Sequence, residues 1–220
     1  MTHPADLQKL LTWLSPAFPV GAFAWSAGLE SAILGRTVHD RETTRQWVGS
    51  VLTHGSLRTD GILLAQAHRS AQDPDDLQEL ADLCLALTPA HERHAETTIT
   101  GAAFVTAVKA WPNPVLAHLP QPCPYPIAVG AIAAGHAIDL GATLLAYLTA
   151  AVHSQVSVAV RLVPIGQSDG LAIMAGLEAD IADLALLCQH AARADIGAVA
   201  YAADIAQMSH ETLTTRIFRS

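Results

Sequence analysis

Lysine is almost missing from this chain. Lys9 and Lys109 are the only two in 220 residues, and basic residues number 12 against 20 acids, for a formal charge of −8. Nucleic acids are held largely by neutralising their phosphates, so this balance excludes them as partners. Aromatic residues make up only 5 %, which leaves aliphatic and small side chains to fill the core. Three cysteines, Cys84, Cys123 and Cys188, are widely spaced with no C-x-x-C pair. That excludes a disulfide framework and reads as buried reduced thiols in a cytosolic protein. The N-terminal stretch MTHPADLQKL lacks a basic segment followed by an apolar one, so no secretory signal is expected and the cytoplasm is the predicted location. Phosphate-loop, dinucleotide and H-E-x-x-H motifs are absent as well.

What the chain has in quantity is aliphatic helix former. The run from Leu140 to Val163 carries no charge until Arg161. At helical spacing Leu140, Leu144, Leu148, Val152, Val156 and Val163 form one stripe, with alanines over much of the rest. Such a helix would reach about 36 Å and is expected to be covered on nearly every side, at the centre of the fold. The run is long enough to span a bilayer, but His153, Ser154 and Gln155 interrupt its middle, so no membrane is expected. Alternation from Val156 to Leu162 also fits a strand. The helical pattern upstream favours continuation.

The rest of the chain reads as more helices. Leu7, Leu10, Leu11 and Leu14 mark a short one, stopped at Ser15-Pro16. A second runs from about Ser26 to Leu34. Asp40 looks like the N-cap of a helix carrying Trp47, Val48, Val51 and Leu52, and another covers about Thr59 to Ser70. Asp73-Pro74 opens a helix whose buried stripe is Leu77, Leu80, Cys84 and Leu87. Thr88-Pro89 opens the next, to about Ala110. Six prolines make Trp111 to Pro126 irregular but packed. The following PIAVGAIAAG suggests a tight helix with glycines at contact points. Ile173, Leu177, Ile181, Leu184 and Cys188 mark one helix, and about Ala198 to Met208 the last. The prediction is an all-α, single-domain bundle of about ten helices around a buried central hydrophobic helix, over residues 1–220.

Chemical motifs are few. Gly166-Gln167-Ser168-Asp169-Gly170 is a literal G-x-S-x-G, with His190 and His210 as possible bases and Asp183 as an orienter; a serine hydrolase using Ser168 is therefore the rival reading. Ser168 as an N-cap after a glycine turn explains the same residues. His91 and His94, with Glu92 and Glu96, and the pair His136 and Asp139 have the spacing of metal ligands, but neither set supplies three or four locally. Phe18, Val20, Phe23 and Trp25 lie in a Pro/Gly segment where regular structure is not expected. That loop either folds back onto the core or offers an apolar face to a partner.

Three segments carry a resemblance. Ser15 to Glu30 (SPAFPVGAFAWSAGLE) resembles the opening signature of the UreF family of urease accessory proteins. Arg161 to Gly170 (RLVPIGQSDG) is similar to that family's R-x-V-P-L-G-Q segment, and Ser209-His-Glu-Thr with Arg216 to Ser220 (RIFRS) to its C-terminal signature. Departures stand at Trp25 and Ala27, where the family often has Tyr and Gln, and at Leu213 and Thr214. The resemblance implies an all-α protein that is not an enzyme and holds no tightly bound cofactor, with nickel only in transit. Its implied partners are a UreD/UreH-type accessory protein, the nickel-binding GTPase UreG, apo-urease reached through the complex, and a second copy of itself. It assigns partner binding to Phe18, Pro19, Val20, Gly21, Phe23, Ser26, Gly28 and Glu30. The same role falls to Arg161 and Gln167, and to His210, Glu211, Arg216, Phe218 and Arg219. The tail from Thr212 is expected to become ordered by inserting Phe218 into a partner. Arg161 reads either as a contact for the GTPase or as a helix-end cation.

Overall fold

The computed structural model describes residues 3–220. Eleven α-helices and no strand occur among the described residues. They are α1 (Pro4–Trp13), α2 (Leu29–Leu34), α3 (Arg41–His54), α4 (Ser56–Arg69), α5 (Pro74–Ala86) and α6 (His91–Val108). Then come α7 (Tyr125–Gly135), α8 (Leu140–Leu162), α9 (Gln167–Gly176), α10 (Glu178–His190) and α11 (Tyr201–His210). The all-α expectation holds, and α8 runs unbroken through the stretch where strand alternation competed.

Helix starts follow local chemistry. The Asp40 carboxylate accepts the Thr43 N–H at 2.8 Å, while the Thr43 hydroxyl accepts the Asp40 N–H at 3.1 Å, a reciprocal cap. Asp73 accepts from Asp75 and Asp76 ahead of α5. The Asp139 carboxylate accepts the Ala142 N–H ahead of α8.

The deepest part of the fold is the seam between α4 and α7. Residues Pro126 to Ala133 of α7 are all buried, and α4 contributes Leu57, Ile62, Leu63, Leu64, Ala65 and Ala67. At Gly130 an added Cβ would sit 2.3 Å from the Leu64 carbonyl oxygen. Two backbones therefore approach as only glycine allows. The Pro-rich stretch 111–124 packs beside this seam, with Val115 and Cys123 buried.

Four expectations need correction. First, α8 touches α1, α2, α3, α4, α7, α9 and α10 and is central in that sense, but it is not jacketed. Leu145, Thr149, His153 and Arg161 are exposed along one side. Second, the helix expected across Ile173–Cys188 is two helices, joined at Leu177 after Gly176. Third, α1 buries Leu10 and Trp13, whereas Leu7 and Leu11 face outward, because the large Trp13 indole takes the core side. Fourth, α5 ends before Leu87, so that residue leaves the stripe and is exposed. One helix, α8, is long and apolar enough to cross a membrane; half of its most apolar window is buried against other helices.

Candidate functional site

Two segments of sequence signature, 190 residues apart, meet at one corner of the bundle. The tail after α11 turns back and lies along residues 24–30. The Arg219 N–H donates to the Ala24 carbonyl at 2.7 Å, and the Ser26 N–H to the Ser220 carbonyl at 2.7 Å. The Ser26 hydroxyl donates to that same oxygen, and the Ala27 N–H to the Ser220 hydroxyl at 3.2 Å. Ala27 holds a positive φ of 51° and Gly28 one of 81°. At Gly28 a Cβ would meet the Gln207 backbone nitrogen at 2.7 Å, so α2 and α11 cross at a contact that a side chain would prevent.

The tail is fastened by a buried polar knot. Glu30 accepts the Ile217 N–H at 2.8 Å and the Phe218 N–H at 3.0 Å. His210 is fully buried, with Nε2 3.1 Å from Glu30 Oε2 and Nδ1 2.7 Å from Glu92 Oε2. Arg216 closes the set by pairing with Glu92. Burial pushes the Glu30 carboxyl up, but the Ile217 N–H, the His210 ring and the Phe218 N–H together hold it below its ordinary value. Beside His210 in the chain, Glu211 accepts the His91 N–H at 2.7 Å.

Above the knot lies a layer of arginines on aromatic rings. Arg161, at the end of α8, stands 5.0 Å from the Phe218 ring centre and 5.7 Å from that of Phe23. Arg219 stands 5.8 Å from the Trp25 ring. Such stacking keeps the cations partly in water while using the ring faces.

The loop divides its apolar residues between both expected roles. Val20 and Trp25 are buried, and Phe18 packs on Phe104 and Trp111 at ring distances of 5.8 and 6.3 Å. Phe23, Pro19 and Gly21, the last in left-handed conformation, face outward. Phe218 is a correction: it is already inserted in its own chain, buried beneath Arg161, so the tail is ordered without a partner and presents Ile217 and the arginines instead. Trp25 takes the first of the loop's two expected roles, facing inward and seating the tail. Arg161 serves as a stacked cation and also hydrogen-bonds the Ser157 carbonyl. Gln167 is exposed at the first turn of α9 and makes no side-chain hydrogen bond to the corner among the described residues.

Sequence reasoning missed the role of Glu92, which it placed only beside His91 and His94. Its partners lie 118 and 124 residues away, beyond any local pattern. The metal-like pairs do not converge. Glu96 pairs with Arg93, Asp139 caps α8, and His136 stacks on Trp13; among the described residues no three His, Cys, Asp or Glu side chains are placed to hold a metal ion. The three thiols are buried and free. Burial pushes Cys123 and Cys188 up to about 12, and Cys84 higher still. The hydrolase reading fails on geometry: Ser168 is exposed in the first turn of a helix, with no strand leading into it. Nor is Ser168 the N-cap. Gly166 holds that place, its N–H donated to the Asp169 carboxylate.

These features define a helical protein whose opening and C-terminal signature segments grip one another. A model of the UreF family matches residues 38–178. A protein from Agrobacterium fabrum named "Urease accessory protein UreF" is 47 % identical over 98 % of this chain and 97 % of its own length. Proteins of the same name from Rhizobium leguminosarum bv. viciae and Rhodopseudomonas palustris are 45 % and 44 % identical. The first alignment covers all of both chains; the second covers 98 % of this chain and 94 % of the relative. The chain belongs to the UreF family.

Proposed function

We propose that this chain is a non-catalytic bridge in urease maturation, acting in the cytoplasm. It joins a UreD/UreH-type accessory protein to a UreG-type GTPase and so promotes GTP-dependent delivery of nickel to apo-urease. Family membership supports the urease connection. The observation that carries the bridging role is the corner itself, where the opening signature, Arg161 and the C-terminal signature form one exposed surface on a rigid bundle.

In this reading Phe23, Pro19, Gly21 and Ile217 supply apolar contact, while Arg161, Arg216 and Arg219 supply directional charge. Phe18, Val20, Ser26, Gly28, Glu30, His210, Glu211 and Phe218 shape that surface from beneath. Gln167 extends the contact along α9. No residue breaks a bond, and nickel passes without a resident site. An exposed stripe of Tyr201, Ile205 and Met208 on α11 gives a second copy an apolar face to cover.

The test is co-expression with the other urease accessory proteins, using the full chain and a chain lacking Thr212–Ser220. The full chain is expected to co-purify with the UreD-type protein and the GTPase. The shortened chain is expected to keep its helical signal and capture neither. Undiminished capture by the shortened, folded chain would contradict the assignment.

A further inference from the structure

Behind the loop of residues 15–27 lies a cavity of about 130 Å³, enclosed by that loop, the open side of α8 and the start of α4. It is comparable in size to the roughly 150 Å³ hole that admits benzene in another protein. Five of the chain's eleven aromatic side chains line it: Trp13, Phe23, Trp25, Tyr125 and Tyr147. Trp13, Tyr125 and Tyr147 continue into the core's aromatic cluster through Phe104, while Phe23 and Trp25 come from the loop.

The floor is polar and sets two acids against one arginine. Arg93 pairs with Asp60, stands 3.1 Å from Glu96 Oε2, and is the one cation between the two acids. Tyr147 donates to Asp60 at 3.2 Å. With both carboxyls ionised, one negative charge is left over. Glu96 Oε2 receives no aligned hydrogen bond, and Gln155 Oε1, on a side chain over nine-tenths buried, has no partner among the described residues. Both residues line the cavity. Burial pushes the Glu96 carboxyl above its ordinary value, against the pull of Arg93 and with the help of Asp60. Unmatched charge in such a place is costly, and a cation entering beside it removes the cost. Ring faces attract the same cation through their quadrupoles.

We propose that this cavity binds an organic cation with a short apolar stem, its ammonium or guanidinium head against Glu96 and Gln155 and its stem against the aromatic wall. Two sources carry that chemistry: a free alkylamine, or a lysine or arginine side chain of a protein docked at the adjoining corner. Only the second source rests on the function proposed above. The cavity and its charge stand without it.

The probe is n-butylammonium, added to the intact chain while the Trp13 indole N–H is followed by NMR. Trp13 lines the cavity, and its indole N–H has no partner among the described residues. The expected result is a saturable shift with an affinity on the order of millimolar, reasonable for five heavy atoms. Neutral 1-butanol, of the same shape, is expected to bind at least about tenfold more weakly, and Glu96→Gln to weaken n-butylammonium by a similar factor. Ala151→Leu, which fills the cavity from its half-buried wall, is expected to abolish the shift while leaving the helical signal unchanged. Equal binding of 1-butanol, an unaffected affinity in folded Glu96→Gln, or a shift produced equally by sodium chloride would overturn the proposal. Repeating the titration on the co-purified complex separates the sources. Loss of probe binding there identifies a partner side chain, and retention identifies a free amine; failure to form the complex bears on the bridging function alone.

Discussion

The α4–α7 seam and the loop–tail corner are held by opposite means. At the seam, aliphatic side chains and the glycine at 130 let two backbones touch. At the corner, one carboxylate, Glu30, takes two backbone N–H groups and a ring nitrogen, and the layer above is arginine on aromatic rings. Burial of apolar area is non-directional, so the seam resists opening without specifying a surface. Charge-assisted hydrogen bonds are directional and conditional, so the corner sets the position of each exposed group and can open by itself. A binding surface profits from the second arrangement, and a scaffold from the first.

That contrast can be broken by mutation, most severely at the seam. Gly130→Ala drives a methyl group into the Leu64 carbonyl and is expected to cost about 3 kcal/mol. In a chain of this size that lowers the melting temperature by roughly 10 °C, measurable by calorimetry. A loss confined to the tail would show that the seam does not carry global stability.

Glu30→Gln comes next, and its effect should stay local. Losing a charged acceptor from two backbone N–H groups is expected to cost about 2 kcal/mol. Hydrogen exchange at Ile217 and Phe218 should then rise about 30-fold, while the α4 and α7 amides keep their protection. The same carboxylate fixes the pH response. Because its native value is depressed, its contribution is fully present above the ordinary carboxylate range and fades as pH falls through the native value. Tail protection should therefore fade in acid before the core opens, and Glu30→Gln should flatten that dependence. Simultaneous opening of tail and core would join the two regions into one unit.

Smaller effects sharpen the comparison. Arg161→Ala removes two ring contacts from an exposed cation and is expected to cost the tail about 1 kcal/mol, seen as a several-fold rise in Phe218 exchange. Ser168→Ala touches neither region. It should shift stability by less than about 0.5 kcal/mol and leave urease activation unchanged. A lost hydrolytic activity in that variant would revive the serine reading.

The sequence made the helices legible because each rests on local signals: caps at Asp40 and Asp73, proline stops, and apolar spacing. The break at Leu177 stayed hidden because residues 173, 177, 181, 184 and 188 keep their rhythm across it, and Leu177 is buried in either case. The open side of α8 was hidden for a related reason. Small residues and Leu145 look alike whether a neighbour covers them or a cavity lies beyond. At the site, signature residues could be named from resemblance, yet their division into exposed and buried could not. Phe218 read as a contact for a partner and turned inward, because only the fold brings Glu30, Glu92 and His210 together.

The proposed docking surface is the corner formed by residues 15–30, Arg161 and 209–220. Hydrogen exchange of the chain alone and in complex with the UreD-type protein separates this corner from the rest of the bundle. Added protection is expected to centre on those segments, with the amides of α4 and α7 unchanged. Protection gained on the outer faces of α5 or α10, with none at the corner, would contradict it.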